Sequence, residues 1–207
     1  MADTTRLEAM RDSPLSHLAP SLLATEGGPA GLRELPFRTM VGLRNTPGTP
    51  AAERVEAALG LILPTACGAT GATDGRTALW LGPDEWLVVS EVDGPGDLVA
   101  LLDDALAGAP GSAVDVSANR TTLELSGERA RQVLEKGCAL DLHPRSFGPG
   151  RAVSTTLGPV PLVLWQTGEE TYRLLPRSSF ADYLARWLLD AAAEFAPAPS
   201  GVATPDL

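Results

Sequence analysis

The sequence predicts an α+β fold built from two packed halves. Two observations lead to this prediction. Short alternating apolar runs, typical of half-buried strands, are interleaved with runs whose apolar residues recur at helical spacing. The elements predicted over 37–117 follow the order strand, helix, strand, strand, helix, strand, which is that of a split β-α-β-β-α-β, or ferredoxin-like, unit. The predicted second half, 118–195, repeats this theme loosely.

Both ends of the chain are predicted to lie outside these halves. Residues 1–36 are expected to form an extended N-terminal arm, because the stretch from Ser13 onward contains many Gly and Pro residues. Such an arm lies either on a partner or on its own domain, and both alternatives are open at this point. Residues 196–207, APAPSGVATPDL, have the composition of a disordered tail.

Local signals delimit the elements of the first half. Pro50 is favourable at the first position of a helix and Gly60 is a typical stop, so a helix is predicted between them. Val55, Ala58 and Leu59 form its expected apolar face. In chain order the predicted elements are a strand at 37–44, this helix, a polar loop at 66–76, a hairpin at 79–90, a helix at 96–106 and a strand at 113–117.

The hairpin prediction rests on the stretch LWLGPDEWLVVS at 79–90. Two apolar runs flank a Gly-Pro-Asp-Glu turn at 82–85. Because side chains alternate across a strand, Trp86 and Val88 are expected on one face and the residues that alternate with them on the other. Aromatic and β-branched residues suit a half-buried sheet, so packing explains Trp80 and Trp86 without a ligand.

The second half is predicted to contain four strands and two helices. The strands are expected at 121–125, 151–157, 160–166 and 171–175. In the first helix, 126–137, Ser126 is the expected N-cap and Gly137 lies at the C-terminal end. The last helix, 178–195, is predicted to carry an apolar stripe of Phe180, Tyr183, Leu184, Trp187 and Leu188.

Composition restricts the class of protein. The 207 residues carry a net charge of −10, which argues against nucleic acid because phosphates are bound by clustered cations. The glycines at 68–75 have neither dinucleotide-binding nor Walker spacing. The polar start MADTTRLEAMRDS lacks a signal core, and no run approaches the roughly 20 apolar residues of a membrane span. Cys67 and Cys138 match no disulfide or metal spacing, so we expect a cytoplasmic protein.

Few side chains are candidates for catalysis or metal binding. His17 and His143 lie in no metal-ligand pattern. His143 either caps or pairs with Asp141 just after a helix, or it takes a catalytic role. Cys138 is either a thiolate beside Lys136 or a packed cysteine at a helix end. The packed and capping interpretations are favoured for both.

The segment DVSANR contains the best candidate for a ligand-binding group. In the functional interpretation, Asp115 and Arg120 hold an amino or carboxylate group of a ligand. In the structural interpretation, which we favour, they form an ion pair that braces the turn while Ser117 bonds the backbone. Because no nucleophile, base and oxyanion hole assemble, no catalytic, cofactor-binding or metal-binding residue is predicted in this chain.

Five stretches, in order along the chain, carry a resemblance to a known family. They are SPL at 13–15, LWLGPDEWLVVS at 79–90, VDVSANRTTLELSG at 114–127, LEKGCALDLHPRSF at 134–147 and SFADYLARWLLDAAAEF at 179–195. In these stretches the chain resembles the gamma subunit of heterotetrameric sarcosine oxidase. More widely, it resembles the folate-binding aminomethyltransferase fold of the T protein of glycine cleavage and of the oxidase's own alpha subunit.

The resemblance implies a function and a set of partners. It implies a subunit of an enzyme that oxidatively demethylates sarcosine to glycine, releasing hydrogen peroxide and formaldehyde or methylene-tetrahydrofolate. The implied partners are the alpha, beta and delta subunits, with no nucleic acid and no membrane. FAD, FMN, NAD, tetrahydrofolate and zinc are then held on those other subunits, and none in this chain.

One departure from the folate enzymes implies that this chain is a non-catalytic structural or assembly subunit. Their folate-facing acid sits in a G-x-x-x-D-D-like turn between two late strands. The corresponding turn here, LGPVP at 157–161, contains no acid, so it can neither orient an amine nor assist proton transfer.

Two alternatives remain open at this point. The first is a free-standing folate-binding aminomethyltransferase-like protein. The second is a redox-linked assembly factor that uses Cys138. It is suggested by Lys136-Gly137-Cys138, which matches the start of the K-G-C motif of the folate-dependent iron–sulfur assembly protein. The residues that follow, Ala-Leu-Asp-Leu-His, differ from that motif.

Overall fold

Two five-stranded antiparallel sheets organise the chain, for which a computed structural model describes residues 11–196. The predicted α+β class is confirmed. Residues 1–10 of the predicted arm and residues 197–207 of the predicted tail lie outside the described residues.

Within residues 11–196 the chain forms ten strands and five α-helices. The strands are β1 (Gly31–Glu34), β2 (Thr39–Asn45), β3 (Thr70–Thr73), β4 (Arg76–Gly82), β5 (Glu85–Ser90), β6 (Gly111–Asp115), β7 (Leu123–Ser126), β8 (Arg151–Leu157), β9 (Val160–Gly168) and β10 (Thr171–Pro176). The helices are α1 (Ala19–Leu23), α2 (Pro50–Leu59), α3 (Pro95–Leu106), α4 (Ala130–Glu135) and α5 (Ala181–Ala192). Short 3₁₀ turns span Ser16–Leu18, Ser178–Phe180 and Ala193–Phe195.

The first sheet has the strand order β3-β4-β5-β2-β6, with α2 following β2 and α3 joining β5 to β6. Leaving out β3, this is the strand order of a split β-α-β-β-α-β unit. Strand β3 lies inside the stretch 66–76 that was predicted to be a loop, and that prediction is wrong for Thr70–Thr73. Its small residues pair with β4, and a Cβ on Gly71 would lie 2.1 Å from the carbonyl oxygen of Ile62. Tertiary pairing, and not local propensity, therefore forms this strand.

The second sheet has the order β1-β7-β10-β9-β8, and its first strand corrects the prediction of an extended arm. Residues 13–36 form a 3₁₀ turn, α1 and β1, and β1 pairs antiparallel with β7. Leu15, Leu18, Leu22 and Leu32 are buried in the core beneath this sheet. The prediction failed because it rested on the Gly and Pro residues of this segment, whereas the leucines between them gain enough burial to order it.

Three apolar clusters show how the sheets are covered. In the first sheet, Trp86 and Val88 of β5 pack with the helix residues Val55 and Leu98. Beneath the second sheet, a larger cluster includes residues of β7, α4 and α5. The third cluster lies between the sheets and contains Met40, Leu79, Leu87, Val89, Ala152, Val163, Trp165 and Leu175. The predicted alternation along β5 is confirmed, because Trp86 and Val88 face the helices while Leu87 and Val89 face the second sheet.

Helix ends follow local signals in α2 but not in α4. Thr49 caps α2 through a bond that its hydroxyl accepts from the N–H of Ala52, and Gly60 ends it in the left-handed conformation, as predicted. By contrast, Ser126 ends β7 and does not cap a helix. Gly127 between them has φ +118, and a Cβ there would lie 2.5 Å from the carbonyl oxygen of Pro29. This close approach of the N-terminal segment delays the helix and shortens the predicted 126–137 to Ala130–Glu135.

The last helix buries a different stripe from the one predicted. Leu184 and Leu188 are buried as expected, but Phe180 and Tyr183 are 39% and 50% exposed. Small residues such as Ala181 and Ala185 occupy the buried face instead, because the helix packs close to the sheet. No helix among residues 11–196 is long and apolar enough to cross a membrane.

Replacing Trp86 with Ala should lower the free energy of unfolding by about 3–5 kcal/mol. Its ring is fully buried, and its Nε1 donates to the carbonyl oxygen of Pro64 at 2.8 Å, so the variant leaves a cavity and an unpaired acceptor. Urea denaturation measures the loss. Trp86→Phe, which retains most of the ring volume, should lose less, and an alanine variant with an unchanged midpoint would contradict this placement.

Replacing Leu15 with Ala should lower the free energy of unfolding by about 2–5 kcal/mol, because Leu15 is completely buried. Leu23→Ala, at a position 66% exposed in the same segment, is the matched control and should change it by less than about 0.5 kcal/mol. The same denaturation experiment compares the two. Equal, small effects would restore the prediction of a loosely attached arm.

Candidate functional site

The predicted ion pair between Asp115 and Arg120 is not formed. Asp115 instead accepts hydrogen bonds from the backbone N–H of Ser117 at 2.9 Å and from its hydroxyl at 2.6 Å. The Ser117 hydroxyl also accepts from a backbone N–H of β2 at 3.0 Å, so its predicted bond to the backbone is confirmed. Arg120 points to the second sheet, where its Nη1 donates to the carbonyl oxygen of Leu175 at 2.8 Å. A β-bridge between the backbones of Arg120 and Arg177 draws it there.

These two arginines line an open cleft of about 380 Å³ beside the start of β9, which we call the arginine cleft. Its lining residues are Arg120, Ser154, Thr155, Pro161, Leu162, Val163, Arg177 and Phe180. Among the described residues, neither guanidinium pairs with a carboxylate. Burial, and after it the positive charge of Arg177, lower the pKa of Arg120.

The arginine cleft has the groups to bind an anion but not to catalyse a reaction. Its guanidinium groups and its Ser154 and Thr155 hydroxyls can donate hydrogen bonds to an oxyanion. No carboxylate, thiol or imidazole lines it, so the two hydroxyls have no general base beside them. The chemistry open to this cleft is therefore recognition of negative charge.

A second cleft, of about 240 Å³, lies toward the other end of β9, and its charges are balanced. Glu91 pairs there with Arg38 at 3.0 Å and with Arg173 at 3.3 Å. Arg173 also pairs with the buried Glu124 at 3.3 Å and lies 5.1 Å from the ring centroid of Trp165. These contacts satisfy the charged groups internally and leave a structural ion network.

Arg76 and Asp93 brace the hairpin against α2. The guanidinium holds the carboxylate through bonds of 2.7 and 2.8 Å and also donates to the carbonyl oxygen of Ala58 at 3.1 Å. The hydrogen bonds from Arg76, and after them that from Ser90, lower the pKa of Asp93, although burial opposes the shift. This acid–base pair beside the second cleft is thus a structural brace.

His143 lies in a turn that Asp141 closes, in agreement with the capping interpretation. Asp141 accepts from the backbone N–H of His143 at 3.0 Å and from the hydroxyl of Ser146 at 2.6 Å, and these bonds lower its pKa. The imidazole Nδ1 accepts from the backbone N–H of Arg145 at 3.2 Å. The ring is occupied in shaping the turn, and the Ser146 hydroxyl bonds Asp141 and not the imidazole.

Cys138 packs against the core beneath the second sheet, as the packing interpretation expects. Its neighbour Lys136 does not face it, since the ammonium bonds the carbonyl oxygen of Ala191 and pairs with Glu194. The backbone of Cys138 forms a β-bridge with Leu157. The ammonium of Lys136 is therefore engaged by the C-terminal end of α5 and Glu194, and not by the sulfur of Cys138.

The turn that joins β8 to β9 is held in place by the residues that follow α4. Gly158 has φ +54, and its N–H donates to the carbonyl oxygen of Gly137 at 2.9 Å. Leu157 and Val160 on either side are buried. The acid-free turn at 157–161 is thus anchored as a structural element. Within residues 11–196, no group of three or more His, Cys, Asp or Glu side chains is arranged to hold a metal ion.

Sequence reasoning missed Arg177 and the pairing of His17 with Asp182. Leu123 pairs with Leu174 in the antiparallel ladder, and the same register continued places Arg120 opposite Arg177. A sequence gives no direct measure of this register, so the two arginines carry no joint signal. The His17 Nε2 lies 2.6 Å from Asp182 Oδ1 on the surface, across a long sequence separation.

Comparisons with known proteins decide the family. The family model described as "Sarcosine oxidase, gamma subunit family" matches residues 44–194. A relative named sarcosine oxidase subunit gamma, from Arthrobacter sp, is 47% identical over 204 residues, with 95% of this chain and 98% of the relative covered. The chain belongs to the sarcosine oxidase gamma subunit family. A second relative of that name, from Corynebacterium sp. (strain U-96), is 45% identical and covers 96% of each chain.

Solved structures agree with membership of the sarcosine oxidase gamma subunit family. A chain of the heterotetrameric sarcosine oxidase from Corynebacterium sp. U-96, in complex with pyrrole 2-carboxylate, is similar at a TM-score of 0.85 and 44% identity. That match covers 93% of this chain and 100% of the other. The glycine cleavage system aminomethyltransferase T from Bartonella henselae is similar at a TM-score of 0.58 and 16% identity, covering 83% of this chain and 48% of that one. The predicted resemblance to the aminomethyltransferase fold is thereby confirmed, for the fold alone.

The Arg76–Asp93 brace predicts a pH dependence of stability. Because the pKa of Asp93 is below its ordinary value of 3.8, ionised Asp93 stabilises the fold above that value. This stabilisation is lost as the pH falls through the lowered pKa, while Arg76 stays charged throughout. The difference in unfolding free energy between wild type and Asp93→Asn should be largest at neutral pH and shrink below about pH 4. Urea denaturation at several pH values measures it, and a difference that grows in acid would contradict the brace.

Proposed function

We propose that the chain serves as a non-catalytic, structural subunit of a heterotetrameric sarcosine oxidase. One observation carries the proposal: a chain of the Corynebacterium sp. U-96 heterotetramer is similar along its whole length, at a TM-score of 0.85. A shared fold over nearly the whole chain, with 44% of the residues identical, supports assembly with corresponding partners. The proposed partners are the alpha, beta and delta subunits.

The chemistry of the described residues supports the non-catalytic part of the proposal. Between residues 11 and 196, the carboxylates with lowered pKa are Asp93, Asp141 and Asp182, and each is held by hydrogen bonds within a brace, a turn or a surface pair. Catalytic groups with shifted pKa are expected in a cleft beside a nucleophile, a base or an oxyanion hole. Among the described residues, these carboxylates stabilise local structure instead.

The proposed complex oxidatively demethylates sarcosine to glycine, releasing hydrogen peroxide and formaldehyde or methylene-tetrahydrofolate. FAD, FMN, NAD, tetrahydrofolate and zinc belong to the other subunits in this proposal. Two observations on the described residues support this for zinc and folate: no group of three or more His, Cys, Asp or Glu is arranged to hold a metal ion, and the turn at 157–161 lacks a carboxylate. The same lack disfavours a free-standing folate-binding transferase. Two free cysteines support the cytoplasm as the location.

Co-expression of the four chains, with the affinity tag on this one, tests the proposal. We expect a yellow complex that contains the alpha, beta and delta chains and turns over sarcosine. Asp115→Asn, Cys138→Ser and His143→Gln should each assemble and retain the turnover number per flavin to within about twofold, since a lost general acid or base costs about 100-fold or more. Oxygen uptake measures turnover and the visible spectrum measures flavin.

Two results would overturn the proposal. A colourless, solitary chain would refute the assignment to a complex. A variant that assembles normally, with full flavin content, yet loses turnover about 100-fold would place catalysis in this chain.

A further inference from the structure

The arginine cleft concentrates uncompensated positive charge on a strongly acidic chain. The whole chain carries a net charge of −10, yet Arg120 and Arg177 meet at one β-bridge. Among residues 11–196, these two guanidinium groups have no carboxylate partner, and Arg120 Nη1 donates a hydrogen bond to the carbonyl oxygen of Leu175 at 2.8 Å. A carbonyl oxygen carries no full charge, so the pair retains its mutual repulsion.

Two other arginine sites of the described structure have carboxylate partners, and in this respect the pair differs from them. Arg173 and Arg38 at the opposite end of β9 share Glu91, and Arg76 holds Asp93. Two like charges held close together repel each other, and a bound carboxylate would relieve this repulsion. The fork of a guanidinium matches the two oxygens of a carboxylate.

The rim of the cleft has the composition of a protein–protein contact. Phe180, which lines the cleft, is 39% exposed, and Tyr183 one turn further along α5 is 50% exposed. Exposed aromatic side chains beside arginine are enriched at interfaces and at their most sensitive positions. Arg177 is itself exposed, so a free small anion would remain largely in water, whereas sites for small ligands bury most of the ligand surface.

We infer that the arginine cleft is a docking site for an acidic segment of another oxidase subunit, whose Asp or Glu carboxylate lies between Arg120 and Arg177. The inference rests on the proposed function, since it requires that the chain assembles with other subunits. Phe180 and Tyr183 would pack against the apolar part of the same segment and shield the ion pair from water. The positive charge of the cleft then selects the partner face, and the aromatic rim stabilises the contact.

Charge reversal at Arg177 in the co-expressed complex tests the inference. Arg177 is chosen because it is exposed, whereas Arg120 also bonds the fold. The complex is immobilised through this chain and washed with rising NaCl, and retention of the other subunits is measured. For Arg177→Glu, the NaCl concentration that releases half of them should fall at least about twofold, with Arg177→Lys intermediate because it keeps the charge and loses the fork.

Arg145→Glu is the matched control, because Arg145 is also exposed and its guanidinium has no ion pair among the described residues. It makes the same change in net charge and should release its partners at the wild-type NaCl concentration. Thermal unfolding of each purified variant chain separates docking from folding, and no variant is expected to unfold at a lower temperature than wild type, since Arg177→Glu removes the repulsion with Arg120. If Arg177→Glu is retained like wild type, or no worse than Arg145→Glu, the inference is wrong while the proposed function stands.

A second arm separates a partner carboxylate from a free anion. The purified full chain is titrated with sodium acetate and with sodium phosphate at constant ionic strength, and thermal unfolding is followed. Partner docking predicts equal shifts for wild type and Arg177→Glu. A shift confined to wild type, together with unchanged salt release of the variant complex, would identify a site for free anions and overturn the inference. A wild-type chain that retains no other subunit would instead refute the proposed function.

Discussion

The apolar layer between the two sheets is the interaction on which the rest of the structure depends. Met40, Leu79 and Leu87 of the first sheet meet Val163 and Trp165 of the second, and all five are at least nine-tenths buried. Each such side chain contributes roughly 1.5–3 kcal/mol when it is taken out of water. Because the opposite face of each sheet is covered by helices, β5 and β9 lie among buried neighbours on both sides. Neither sheet could lose the other without exposing the apolar residues that it contributes to this layer.

This layer also explains where charge can accumulate. Strand β9 crosses the layer. Trp165 lies beside the second cleft, the one lined by Glu91 and Arg173, and Pro161 to Val163 lie beside the arginine cleft. Between these two openings the residues are apolar, so polar groups that belong to the layer must lie at its ends. At one end, Glu91 and Arg173 satisfy each other. At the other end, the β-bridge brings Arg120 and Arg177 together, and no carboxylate of the described residues pairs with either of them.

Features with local causes could be predicted from the sequence, and features set by pairing could not. The alternation along β5 and the ends of α2 follow from strand geometry, from Pro50 and from Gly60, and the structure has them as predicted. Strand β3 and the N-terminal segment fold through contacts with distant residues, and their own Gly-rich composition suggests loops. In the arginine cleft, the sequence indicates Arg120 as a candidate ligand-binding residue. The position of Arg177 beside it depends on the register between β7 and β10. A shift of that register by one residue would have separated the two arginines.

The chain shares its fold with aminomethyltransferase T, and the packing around the turn at 157–161 shows how this region is built here. The turn at 157–161, which contains no acid, is held by a hydrogen bond from the N–H of Gly158 to the carbonyl oxygen of Gly137. A Cβ on Gly137 would lie 2.8 Å from the ring of Trp187, so α5 closes this region from below. Leu157 and Val160 of this turn face the apolar core, whereas Gly158, Pro159 and Pro161 are exposed, and Pro161 lines the arginine cleft. The interior of this region is filled by packed side chains. The unpaired positive charge of Arg120 and Arg177 lies instead in an open cleft, where complementary charge on another chain can select the docking face.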